Sequence, residues 1–154
     1  MSGSRIRPTR AAKTSGVVGR FASGGTRPWF HPTRAGVWRF FARVMAEEVS
    51  VFLSVVTIGE LRRGIELIRL RGDRPQSRQL EGWLQTVLAD YGNYILPIDP
   101  DIAQLWGRLR VPHSENALDK QIAATALIHD LTLVTRNQRD FQSTGARLLD
   151  VFED

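Results

Sequence analysis

Glu60, Asp119 and Asp140 stand at three places where this chain passes between strand-like and helix-like sequence. Glu60 follows the apolar run VFLSVV, Asp119 opens the helical stretch before LTLVT, and Asp140 lies in the loop behind it. Carboxylates that converge at one edge of a sheet repel one another unless a cation neutralises them. Mg²⁺ or Mn²⁺, held by a few carboxylate oxygens and several waters, suits such a set. An ion of that kind lowers the pKa of bound water and clamps a phosphodiester oxygen, with no need for histidine or cysteine. Each residue also has a plain structural role. Thr57 and Glu60 form a T-x-x-E capping box, Asp119 complements a helix dipole, and Asp140 caps a turn in NQRD. Helix-end roles and metal binding use the same edge of a sheet, so neither excludes the other.

The elements that must position these residues follow from hydrophobic spacing. VFLSVV (51–56) is short, apolar and β-branched, as a buried strand is. TIGELRRGIELIRLR (57–71) keeps a helical period through Ile58, Leu61, Ile65 and Ile68. GDRPQS (72–77) has loop composition, and the next helix carries Leu80, Trp83, Leu84, Val87 and Leu88 on one face. YILPI (94–98) is a second short strand. Pro100 then opens a helix bearing Ile102, Leu105, Trp106 and Leu109. Residues 117–130 form a strong helix, 131–135 a strand, 136–146 a loop, and LLDVF (148–152) the last strand. Strands alternating with helices imply an α/β fold, a parallel sheet covered on both faces. Ligands bind such sheets beyond the C-terminal ends of the strands, which is where the three carboxylates fall.

At 154 residues the chain has room for one domain with a real core. The absence of cysteine excludes disulfides, thiolate zinc sites and cysteine nucleophiles, and three scattered histidines argue against a histidine-rich metal site. No apolar run reaches the roughly 18 residues of a membrane span, so a soluble, intracellular protein is expected. The net charge of +5 hides a split. Residues 1–46 hold nine basic side chains and no Asp or Glu, whereas residues 47–154 hold 12 basic and 16 acidic groups, a net of −4. The first 30 residues, rich in Arg, Ser, Gly, Thr and Pro, have the composition of a disordered segment, with Val17 and Val18 the one hint of a strand. From Pro32 a helical face appears, through Val37, Trp38, Phe40, Phe41, Val44 and Met45. The aromatic and basic side chains of this third could bind nucleic acid by stacking and phosphate contacts. More often such a segment is a disordered tail followed by a core helix.

The segments SVVTIGELRRGIE (54–66) and LDKQIAATALIHDLTLVTRNQRDF (118–141) resemble PIN-domain ribonucleases of the VapC/FitB toxin type. The similarity spans about residues 31–154. It implies a three-layer α/β/α sandwich, a bacterial toxin of a type II toxin–antitoxin pair, and Mg²⁺- or Mn²⁺-dependent cleavage of RNA. It further implies a homodimer and a cognate antitoxin. Glu60, Asp119 and Asp140 match acidic, metal-binding positions of the family. Thr135 and Asn137 match polar positions of the same pocket, and Arg136 accompanies them in the motif. The opening strand of the family ends in an Asp-Thr-Asn motif, where this chain reads SGVVGRFASGG (15–25). The expectation is therefore a PIN-like sheet whose first strand is altered or missing. The alternative to an active RNase is a catalytically impaired PIN-like chain that binds antitoxin or RNA.

Overall fold

In a computed structural model of the chain, the structure describes residues 17–19 (backbone only), 50–135 and 137–150. Its elements are β1 (Val17–Gly19), β2 (Val51–Ser54), α1 (Val55–Leu70), α2 (Arg74–Asp90), β3 (Ile95–Leu96), α3 (Pro100–Leu109), α4 (Ala117–Ile128), β4 (Thr132–Val134) and β5 (Arg147–Leu149). A 3-10 turn at Gly92–Tyr94 leads into β3, and a 3-10 segment, Gln138–Thr144, joins β4 to β5. The strands form one sheet in the order β3-β2-β1-β4-β5, and every pairing is parallel. β1 lies at the centre, with Val17 opposite both Val51 and Thr132. The expected altered first strand is thus three residues long and comes from within the basic N-terminal segment. Its two valines suit a strand paired on both sides. The helix expected through Val37–Met45 lies outside the described residues.

Several boundaries differ from the sequence reading, and at two helix starts the local reason is plain. β2 ends at Ser54 because that side chain caps α1, its Oγ accepting from the Val56 amide at 3.1 Å. Thr57 is therefore inside the helix and buried, and Glu60 lies in the second turn, so the expected Thr57–Glu60 capping box does not form. The stretch 72–77 is mostly helix. Asp73 accepts from the Gln76 amide at 3.1 Å and Pro75 takes an early position needing no donor, so the supposed loop residues start α2. β5 is Arg147–Leu149, and residues 151 and 152 of the expected last strand lie outside the described residues.

α4 is the central helix. Asp119, Lys120 and residues 122–126 are all buried. Ile122, Ala123 and Ala126 pack with Leu131, Leu133 and Phe141, and Phe52, Val56 and Leu148 close the cluster from the sides. Small alanines let the helix approach the sheet closely. Its C-terminus ends in a Schellman turn: Asp130 adopts φ 54°, and the Leu131 amide donates to Ala126 O at 2.8 Å. That turn reverses the chain directly into β4. α4 therefore runs antiparallel to β4, and its first turn lies at the level of the C-terminal edge of β4.

Candidate functional site at the C-terminal edge of the sheet

Four pieces of chain meet the C-terminal edge of the central strands. β2 delivers Ser54 and α1, β4 delivers Thr135 and the 3-10 segment, α4 contributes its first turn, and β1 ends between β2 and β4 at Gly19. α4 packs against α1, β1 and the 3-10 segment. Asp119, in the first turn of α4, is 3% exposed. Asp140 and Glu60 are half-buried, Asp140 in the first turn of the 3-10 segment and Glu60 on α1.

Behind β4, Thr135, Asn137 and Asp140 form one hydrogen-bonded unit. Thr135, 1% exposed, donates its amide to Leu149 O of β5 at 3.0 Å, which ties it to the sheet. Its Oγ1 accepts from the Asn137 amide at 3.1 Å. The Asn137 side chain then donates through Nδ2 to Asp140 Oδ2. A strand end thereby fixes a carboxylate through two short steps. Arg136, between Thr135 and Asn137, lies outside the described residues.

Glu60 is not joined to this unit by such a bond. Two residues on, Arg62 turns to α2 instead, forming a two-pronged pair with Glu81: Nη1 to Oε2 at 2.6 Å and Nη2 to Oε1 at 2.7 Å. These hydrogen bonds hold the Glu81 carboxyl at a pKa of about 2. They also raise the Arg62 pKa, so this cation is committed to helix packing.

By type, the donors suit a hard divalent ion, since all are carboxylate oxygens. By number they fall short. Among the described residues, no three His, Cys, Asp or Glu side chains lie close enough to hold a metal ion. Residues 1–46 have no carboxylate to add from the central strand. The described edge carries acidic side chains but is not a complete ion site.

Lys120 is the notable side chain that sequence reading passes over. It is 4% exposed, and its Nζ donates to the backbone carbonyl of His113. It is one of two lysines in a chain with 19 arginines. Nothing in the spacing marks it, because its partner sits in an irregular loop seven residues earlier.

A parallel sheet in the order β3-β2-β1-β4-β5 defines an α/β protein, and the switch in strand order at β1 is where such folds offer a candidate site. The PIN domain family profile matches residues 38–146, and the chain belongs to that family. The toxin FitB of Neisseria gonorrhoeae (strain ATCC 700825 / FA 1090) is 32% identical over 111 residues, covering 68% of this chain and 77% of its own length. Among solved structures, FitAcB from Neisseria gonorrhoeae superposes with a TM-score of 0.70 at 24% identity, covering 90% of this chain and 99% of that one. VapBC-5 from Mycobacterium tuberculosis, a member of the VapBC family of toxin–antitoxin systems, gives 0.50 at 30% identity, covering 66% and 80%. The family match begins after β1. No helix of the described residues is long and apolar enough to cross a membrane.

Proposed function

We propose that this chain is the toxin-type partner of a toxin–antitoxin pair and that its acidic sheet edge is a site for RNA phosphodiester bonds. The observation that carries this reading is Asp119, a carboxylate buried to 3% beside a sheet edge where a second carboxylate, Asp140, is fixed by Asn137. Burial of a carboxylate is costly unless it is paired or hydrogen-bonded, and Asp119 keeps a polar interaction here. A fold that needs only packing at this place would use an apolar residue. In PIN domains of this type, Mg²⁺ or Mn²⁺ supplies water activation and charge neutralisation when bound. This reading assigns Asp119, Asp140 and Glu60 to that role, and among the described residues they do not form a group of three that could hold an ion. Thr135 and Asn137 set the direction of Asp140, and Arg136 offers a cation to a phosphate. A cognate antitoxin and a second copy of the chain are the protein partners in this reading, which places it in the bacterial cytoplasm.

A second reading has its own observation. With no three ligands gathered among the described residues and no acid before Glu47, the chain is a weak or inactive RNase that retains partner binding. Metal affinity follows ligand number and charge. One experiment separates the two. Cleavage of single-stranded RNA is followed with Mg²⁺ or Mn²⁺ for the chain and for Asp119→Ala. Slow cleavage lost in Asp119→Ala supports a residual active site. No cleavage above background in either protein supports the impaired partner. Cleavage unaffected by Asp119→Ala defeats the site itself.

A further inference from the structure

We propose that Lys120 is a positioning residue for Asp119, acting by locking the α3–α4 loop onto the first turn of α4. This inference rests on the reading of Asp119 as a site residue. Asn116 precedes α4 at φ 55° and gives the helix no side-chain cap. An uncapped helix start frays, yet this one must hold a buried carboxylate at its third residue. Two side chains hold it instead. Lys120 Nζ reaches back to His113 O, and Trp106 of α3 donates its indole N–H to Ala117 O at 2.9 Å. Arg110, ending α3, lies over the Trp106 ring at 4.7 Å and keeps the indole in place. The first turn of α4 is therefore pinned on both sides of Asp119 by donors from side chains.

Lysine is an expensive choice here. A buried ammonium forfeits its hydration and is seldom found without a specific partner. For packing alone, Leu or Met would fill the space without that penalty. What the ammonium adds is a directed bond to a loop carbonyl, and that bond fixes where the loop ends and Asp119 begins.

The test uses the full chain with Lys120→Met, Lys120→Gln, Trp106→Phe and a distant core control, Leu84→Ala on α2. Two readouts need neither RNA nor metal: amide hydrogen exchange over residues 117–121 and the side-chain carboxyl NMR signal of Asp119. Lys120→Met should speed exchange about tenfold or more, as loss of a local lock exposes the turn, and should move the Asp119 signal. Trp106→Phe should do the same to a lesser degree. Leu84→Ala should lower the melting temperature and leave the Asp119 signal in place. If Lys120→Met does not fold, Lys120→Gln, whose shorter amide cannot span to His113 O in the same way, is read by the same criteria. Unchanged exchange and signal in the Lys120 variants, or an equal displacement in Leu84→Ala, overturns the proposal. A chain that cleaves no RNA while Lys120→Met still displaces Asp119 loses the nuclease reading and keeps this one.

Discussion

Thr135 shows how much one buried hydroxyl can control at this edge. Its amide is spent on β5, so Oγ1 is the group left to receive the Asn137 amide, and Asn137 in turn holds Asp140. Thr135→Val keeps the shape and removes the acceptor. A backbone N–H left without a partner in a half-buried site costs about 1–2 kcal/mol. The expected outcome is a loss of that size in urea denaturation, together with faster amide exchange at Asn137. Unchanged exchange there would mean that the 3-10 segment is fixed by packing of Phe141 alone. Positions such as Asp119 and Asp140 can be read in sequence because they follow the strand–helix punctuation. Lys120 cannot, because its role depends on where the loop brings His113.

At the level of elements, the helix starts carry most of the difference between sequence and structure. Ser54 reads as part of an apolar strand run, since Val55 and Val56 continue it. Only the backbone turn at Ser54 reveals it as a cap. Ser54→Ala should cost about 1 kcal/mol, measured by chemical denaturation. A neutral result would show that the buried strand end, not the cap, sets the start of α1. The stretch GDRPQS carries the signals of both a loop and a helix start, and Asp73 with Pro75 decides for the helix. The α1–α2 pair is joined by Arg62 and Glu81, both only partly covered. Because the Glu81 pKa falls from 4.5 to about 2 on folding, its contribution is present above pH 4.5 and disappears as pH drops toward 2. Glu81→Gln should therefore melt lower than the unmodified chain at pH 7, with the gap closing between pH 4.5 and 2. The gap should also shrink in high salt, as expected for a partly exposed pair. A gap independent of pH would assign the effect to packing.

Across the whole molecule, charge and topology meet at one strand. The sheet places β1 between β2 and β4, with Gly19 opposite Val134, so the chain leaves β1 at the edge that carries the acidic residues. The residue following Gly19 in the chain is Arg20, within a 46-residue stretch of nine cations and no carboxylate. The rest of the chain is net negative, and its described acidic groups do not gather by threes. One part of the shortfall is assigned to the opening segment, which brings no carboxylate to this edge. Arg20→Asp tests that assignment. It replaces a cation with a carboxylate at the residue that follows the doubly paired strand in the sequence, a position outside the described residues. Ligand count and charge set the affinity for a hard divalent ion, and Mn²⁺-dependent cleavage of single-stranded RNA should rise roughly tenfold or more in Arg20→Asp. The double variant Arg20→Asp, Asp119→Ala should lose that gain. An equal gain in the double variant would mean that the added acid works without Asp119. The site would then have to be sought away from the first turn of α4.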